Sequence, residues 1–375
     1  MILLDKPYVS EELKNYLVRT RTPVFGNETA READSDNQFN LTHTFKGGRI
    51  YASSENCLEW ICENIQDEEM LRCINVMKNK ALFRQKLHSL YPDFFFQEAT
   101  LPDLFQIDPA ELPLPLILKP SVGFFSEGVH VIETEKDWCL ALQELEIQAA
   151  SWKETYPDHV ISDATFLLEQ YIHGEEFAID AYYDSQGEAV ILNILQHNFA
   201  TSQDTSDRLY YTSKEIILSH REQFTDYLNQ VNKIFGACNF PFHAEIRVKD
   251  HVICPIEFNP MRFAGWCSTD LAYFAYGFHT YHYYLNDVKP DWDVLLEGRD
   301  NRIYSLIVLT KPEHLVKIRD FDYNALCARF RKVLCLRRLN YRTSPVFGFL
   351  FTQNESPHDP ELDYIIHSDL SEFVK

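Results

Sequence analysis

The chain has 375 residues, 45% apolar and 24% charged, and its 56 acidic against 35 basic residues leave a formal charge of −21. That mixture is typical of a folded globular protein of two or three domains and excludes disordered and fibrous classes. The anionic field repels a phosphate backbone, and no Lys/Arg run builds a local basic groove, so a nucleic-acid partner is not expected.

No stretch approaches the roughly 18 apolar residues of a membrane span. The apolar start, Met1 to Leu4, is too short for the central region of a signal peptide. The nine cysteines are scattered and form no Cys-x-x-Cys pair, which disfavours a disulfide framework or a structural zinc site. The cytoplasm is therefore the expected compartment, with no membrane partner.

Residues 1 to about 75 alternate short apolar runs (Ile2 to Leu4, Pro23 to Phe25, Arg49 to Ala52) with a helical pattern at Leu58, Ile61 and Ile65. This predicts a small α/β unit. Asn79 is the expected N-cap of a helix through Leu90, with Leu82, Phe83, Leu87 and Leu90 on its apolar side. The segment Leu101 to Pro115, with four prolines, reads as a connection.

Strands are predicted at Leu114 to Leu118 and Val129 to Ile132, around a loop ending at Gly128. A helix follows, opened by Thr134-x-x-Asp137 and carrying Trp138, Leu142 and Leu145. Phe166 to Leu168 reads as a strand, and Phe177, Ile179 and Ala181 alternate with Ala178, Asp180 and Tyr182 as in another. Ser219-x-x-Glu222 predicts a helix start, with Phe224, Leu228, Val231 and Phe235 at helical spacing and Gly236 closing it. Phe242 to Val248 and Val252 to Asn259 read as the two strands of a hairpin. From about 300 onward, strand-like runs at Arg302 to Leu309 and Val346 to Phe351 fall in no motif.

Alternation in the hairpin puts His243, Glu245 and Arg247 on one face of its first strand, and Glu257 with Asn259 on one face of the second. Two carboxylates and an amide are hard oxygen donors suited to Mg²⁺ that keeps waters and shares a substrate's phosphates. Taken alone, a Glu-x-Asn reads more readily as an exposed polar face. His243 beside Glu245 also permits zinc, but histidines spaced to share a metal are absent nearby.

Lys119 ends an apolar run and is followed by Pro120-Ser121-Val122-Gly123-Phe124-Phe125-Ser126-Glu127-Gly128. A glycine-bearing loop can bring backbone N–H groups over phosphates while the lysine supplies a point charge. The lysine precedes the loop, so this is not a Walker loop. Glu169 to Glu176 follows a buried strand and, taken alone, reads as a turn.

Asn79-Lys80, Leu118-Lys119-Pro120 with Gly128, Glu169-x-Tyr171-Ile172-x-Gly174-x-Glu176, Glu245, and Glu257-x-Asn259-Pro260 occur in that order over roughly residues 77 to 270. The series resembles the ATP-grasp superfamily, closest in style to D-alanine–D-alanine ligase and the ATP-grasp domains of carbamoyl-phosphate synthase. The resemblance implies an α+β / α/β architecture. An N-terminal α/β domain with a linking helix would span 1–95, a lid subdomain 96–172, a C-terminal subdomain with the metal site 173–300, and an extension 301–375.

The resemblance further implies ATP and Mg²⁺ (or Mn²⁺) as cofactors. Lys80 and Lys119 would touch the nucleotide phosphates, Lys119 also lying near the adenine, with Ser126 and Gly128 in the phosphate-covering loop. Glu169, Tyr171 and Ile172 form the adenine hinge, Glu176 accepts from the ribose hydroxyls, and Glu245, Glu257 and Asn259 bind the metal. Phe124 and Phe125 depart from the smaller residues common in that loop. Arg262 matches a substrate-binding arginine that often follows the Glu-x-Asn, although Pro260 and Met261 intervene. Arg208 is a candidate triphosphate contact, and Arg247, by its proximity to Glu245, a candidate for a developing acyl phosphate. Cys267 would line the pocket or simply pack.

The implied activity is carboxylate–amine ligation through an acyl phosphate, on an amino acid or other small carboxylate and an amine. A small-molecule kinase or carboxylase and a non-catalytic nucleotide-binding module are the competing expectations, and a homodimer is compatible with either.

Overall fold

The computed structural model describes residues 1–121, 129–152, 165–201, 204, 206–312, 314–315 and 318–375. They divide into two units: residues 1–71 together with 175–375, and residues 72–174.

The first part of the larger unit is a parallel sheet. Its strands β1 (Ile2–Leu3), β2 (Pro23–Phe25), β3 (Asn40–Thr42) and β4 (Tyr51–Ala52) lie in the order β3-β2-β1-β4. Parallel neighbours need crossovers, and the helices Glu11–Thr20 and Glu28–Ala33 supply them. Ser10 and Asn27 cap those helices by accepting from the amides of Leu13 and Ala30. The Leu58/Ile61 pattern is the helix Cys57–Asn64. The sequence thus marks three of the four strands; Asn40–Thr42, polar and half-buried, carries no apolar run to reveal it.

The unit of residues 72–174 is built on an antiparallel sheet. It contains β5 (Phe96–Thr100), β6 (Leu116–Pro120), β7 (His130–Ile132) and β8 (Thr165–Gln170), in the order β5-β8-β6-β7. Its core packs Leu116, Leu118, Phe166 and Leu168 against Trp138, Ala141 and Leu145 of the helix Glu135–Trp152. The predicted capping box is present: Thr134 Oγ1 accepts from Asp137 N at 3.3 Å and Asp137 Oδ2 accepts from Thr134 N at 2.8 Å. Asn79 caps the helix Lys80–Leu87 through Leu82 N. That helix ends at Leu87, short of the expected Leu90, and exposed His88 and Ser89 separate Leu90 from its apolar face. β6 runs to Pro120 rather than Leu118, which places Lys119 inside the ladder opposite Leu167.

The larger unit also contains an eight-stranded antiparallel sheet. Its strands are β9 (Glu175–Tyr183), β10 (Ala189–Asn198), β11 (Leu209–Ser213), β12 (Phe240–Lys249), β13 (Val252–Pro260), β14 (Ile303–Thr310), β15 (Val333–Arg338) and β16 (Val346–Asn354). The order is β13-β12-β9-β10-β11-β14-β16-β15. The unplaced runs after residue 300 are β14 and β16, which pair from Ile303 opposite Asn354 to Thr310 opposite Val346 and extend the sheet beyond β11.

The helix Lys214–Phe235 lies against β10 and ends at Gly236 with φ +66°. Its start corrects the sequence expectation. Ser213, not Ser219, is the cap, accepting from Ile216 N at 3.1 Å, because Ile216 and Ile217 already belong to the buried stripe. No helix among the described residues is long and apolar enough to cross a membrane.

Candidate active site

The hairpin of β12 and β13 turns through Asp250 and His251, both at positive φ (+51° and +64°). That pair of conformations gives a two-residue turn whose twist matches the flanking strands. The turn fixes the register: His243 faces Asn259 and Glu245 faces Glu257, and a bulge follows as Ile246 pairs with Pro255. Asn259 Nδ2 donates to Glu257 Oε1 at 2.9 Å.

Burial pushes the Glu245 carboxyl well above the usual carboxylate range; Glu257, then Glu176 and Asp207, push the same way, while Arg262 opposes them. A divalent cation would relieve that crowding, and the donors are all hard oxygens. Among the described residues no three His, Cys, Asp or Glu side chains form a metal cage. The set that fits a cation is therefore two carboxylates and an amide, which suits an ion that keeps part of its shell for water and ligand oxygens.

Behind this pair runs a row across four strands: Asn193 opposite Asp180, Asp180 opposite His243, and His243 opposite Asn259. Asp180 is fully buried. It accepts from His243 Nδ1 (2.7 Å), Ala264 N (2.8 Å) and Thr269 Oγ1 (2.6 Å). The carboxylate assigns the Nδ1 proton to His243, whose Nε2 then lies 3.7 Å from Glu245 Oε1. Sequence reasoning places Asp180 in a strand but gives it no role; the signal was a lone charge within an apolar run.

Glu176 is buried beside His197 Nδ1 (2.7 Å) and Arg247 Nε (2.9 Å). Burial works to raise its pKa, but the hydrogen bonds and charges of His197 and Arg247 outweigh it and hold the carboxyl below its ordinary range. Tyr210 stacks on His197 at 4.0 Å between ring centres and donates to Asp207 at 2.6 Å. Arg247, expected near Glu245 by strand alternation, therefore also engages Glu176.

Arg208 has Asp204 and Asp369 as its electrostatic partners, and its Nη1 is buried without a hydrogen-bond partner among the described residues. Arg262 donates through Nη1 to Phe263 O at 3.0 Å and meets Glu55 through Nη2 at 3.3 Å. Cys267 is buried, and burial, then Asp270, push its thiol up to about 11. This is the packing role, not that of a nucleophile.

In the unit of residues 72–174, Glu169 is buried between Arg84 Nε (2.7 Å) and Lys119 Nζ. Burial alone would raise the Glu169 pKa; Arg84 and Lys119 together overcome it and hold the carboxyl down at about 2. Arg84 was not singled out from sequence, where it is one basic residue on a helix. Lys80 opens the helix capped by Asn79, close enough for its charge to act on Lys119. Tyr171 N donates to Pro115 O at 3.1 Å, its ring stands edge-on to His173 at 4.8 Å, and Ile172 follows directly. Ser126 and Gly128, with Phe124 and Phe125, lie outside the described residues.

A family model of the ATP-grasp domain matches residues 112–270. Among solved structures, the L-amino acid ligase from Bacillus licheniformis is similar at a TM-score of 0.69 and 17% identity, covering 100% of this chain and 97% of that one. The biotin carboxylase from Campylobacter jejuni gives 0.60 and 14%, covering 94% and 87%. N5-carboxyaminoimidazole synthase from Aspergillus clavatus, solved with ADP and its ribonucleotide, gives 0.60 and 12%, covering 98% and 96%. These likenesses cover 94% or more of the chain and share its fold.

Proposed function

We propose, from the match of residues 112–270 to the ATP-grasp domain model and from the shared fold, that the chain is an ATP-dependent carboxylate–amine ligase. The observation that carries the reading is the partly buried pairing of Glu245 with Glu257 beside Asn259, a site in which a divalent cation would relieve the charge crowding. Magnesium bound there would neutralise charge on the triphosphate and polarise the phosphoryl group in transfer. Structural likeness to a protein named as an L-amino acid ligase favours an amino acid among the substrates.

In this reading a substrate carboxylate oxygen attacks the γ-phosphorus of ATP, the bond to the β-phosphate oxygen breaks, and ADP leaves. An amine then attacks the acyl phosphate carbon, loses a proton, and expels inorganic phosphate as the amide forms. Glu245, Glu257 and Asn259 would hold the metal. Lys80 and Lys119 would meet the phosphates. Tyr171 and Ile172 lie at the adenine, and Glu176 at the ribose, its carboxylate kept ionised by His197 and Arg247.

Two assignments shift from the sequence reading. Glu169 serves by holding Lys119 and Arg84 in place, since its carboxylate is committed to both. Arg247 serves by fixing Glu176, and Arg208 is left as a candidate phosphate contact. His243, fixed by Asp180, holds the position of Glu245.

The test is release of ADP and phosphate, with and without Mg²⁺, across amino acids and small carboxylates offered with an amine acceptor, and mass analysis of the product. Metal-dependent ADP accompanied by an amide supports ligation. ADP with a stable phosphorylated or carboxylated product would replace it with a kinase or carboxylase, and ATP binding without turnover with a nucleotide-binding module.

A further inference from the structure

His197 stands near the carboxyl end of β10 with its side chain buried, and both of its ring nitrogens are engaged. Nδ1 lies 2.7 Å from Glu176 Oε1, and Nε2 lies 3.1 Å from the carbonyl oxygen of Ser206. The Glu176 carboxyl is ionised, so it can only accept, and a backbone carbonyl can only accept. A neutral imidazole has one N–H and one lone pair; it would satisfy one of these partners and set its lone pair against the other. The imidazolium, with a proton on each nitrogen, satisfies both. His243 differs, because its Nδ1 meets a carboxylate while its Nε2 has its acidic neighbour at 3.7 Å, beyond hydrogen-bond reach.

The surroundings of His197 favour the same charge. Its ring lies between those of Phe199 and Tyr210, with centres 3.9 and 4.0 Å away, and aromatic faces attract a cation. The charged groups nearby come from every neighbouring element. Glu176 faces it from β9, and Arg247 of β12 takes the other oxygen of Glu176 at 2.9 Å. Asp204 accepts from Ala200 N and Ser206 N, both at 2.9 Å, and has Arg208 beside it. Asp207 accepts from Tyr210 of β11. Three carboxylates against two guanidinium groups leave one negative charge, which the imidazolium balances.

The two protons do different work. Glu176 is held from both sides, by His197 and by Arg247. The Nε2 proton instead ties β10 to the segment that leads into β11, at Ser206, two residues before Arg208. When one proton leaves, Nδ1 keeps its own, because a charge-assisted bond to a carboxylate is the stronger of the two. The Nε2 lone pair then faces the Ser206 oxygen, so Glu176 stays in place while the backbone leading to Arg208 loses its tie.

We infer that His197 is an imidazolium and a positioning residue of the nucleotide site, its Nδ1 proton fixing Glu176 and its Nε2 proton fixing Ser206 and with it the approach to Arg208. The inference rests on the reading of Glu176 and Arg208 as nucleotide contacts. It adds a residue outside the ligand contacts and a dependence of ATP binding on pH.

Two measurements test it, and neither uses turnover. Long-range ¹H–¹⁵N correlation spectra of the full chain, labelled with ¹⁵N-histidine and with the His197 ring assigned through its contacts with Phe199 and Tyr210, report its protons directly. Protons on both ring nitrogens at pH 7 are the expected result, and a single neutral tautomer would overturn the inference. The second measurement is the Kd for MgATP by calorimetry, without acid or amine, from pH 6 to pH 9. Binding to the wild type should weaken by about tenfold across the step in which the spectra show His197 losing a proton, the loss of one charged hydrogen bond. His197→Gln, which retains a donor but no charge, should bind at the weak limit throughout. A wild-type Kd that is flat across that step, or a step that persists in His197→Gln, would overturn the positioning role. ATP bound in this pH-dependent manner by a chain that forms no amide would support the inference while removing the ligase reading. Absence of ATP binding at every pH would overturn the nucleotide-site reading and the positioning role together.

Discussion

Glu245 and Glu257 stand directly opposite each other across the hairpin of β12 and β13, one pair before a bulge, and the charges of Glu257, Glu176 and Asp207 on Glu245 outweigh that of Arg262. Two facing carboxylates destabilise a sheet unless something positive lies between them. Their pairing at a partly buried position fits the proposed cation site, at some cost to the stability of the metal-free protein.

The first prediction follows from that cost. Glu257→Gln should lower magnesium-dependent ADP release by about 100-fold or more, while the thermal midpoint measured without metal stays level or rises, because Glu245 loses its like-charged partner. Turnover close to wild type would remove Glu257 from the metal site. A large fall in the midpoint would assign it a structural role instead.

Acid should unfold the unit of residues 72–174 through Glu169. Its folded pKa of about 2 lies below the ordinary 4.5, so the stability it contributes is fully present above about 4.5 and is lost as pH falls toward 2. A depression of that size is worth about 3 kcal/mol. Hydrogen exchange followed by mass spectrometry should show residues 72–174 losing protection across that window. Glu169→Gln should flatten the acid limb and cost about 3–5 kcal/mol at neutral pH, because Arg84 and Lys119 are left buried without their counter-charge.

The juxtaposition of Glu245, Glu257 and Asn259 was legible because they are close in sequence: strand alternation across a short hairpin brings them together. Caps at Asn79 and Thr134 were legible for the same reason. What escaped were partnerships across long separations. Asp180 and His243 are 63 residues apart, Arg84 and Glu169 are 85 apart, and Glu55 and Arg262 are 207 apart. Local propensity carries no information about which strands become neighbours, so a charge such as Asp180 stands out in an apolar run without showing what it binds. The strands after residue 300 were visible as apolar runs, but their place beside β11 is set by sheet order.

Asp180 should prove the costliest single charge in the site. Replacing it with Ala leaves the donors of His243, Ala264 and Thr269 without their buried acceptor, a loss of about 3 kcal/mol or more. Asp180→Asn keeps one acceptor oxygen and should be milder. Chemical denaturation of both variants checks the order. Equal stability of Asp180→Ala and wild type would mean that these bonds do not form together.

Cys267, at positive φ (+58°) and five residues after Arg262, invites reading as a nucleophile, and its chemistry argues otherwise. With the thiol pushed up to about 11, the thiolate fraction at pH 7.5 is roughly 1 in 3,000, and the buried sulfur is occupied with Tyr8 O at 3.7 Å. Cys267→Ser supplies a hydroxyl to the same carbonyl, so the variant should keep activity within about twofold and lose about 1 kcal/mol of stability. Iodoacetamide applied to the native protein should label Cys62, Cys139 and Cys238, which are exposed, and leave Cys267 unmodified with turnover intact. Inactivation that tracks alkylation of Cys267 would make the thiol accessible and reactive and reopen its role in the reaction.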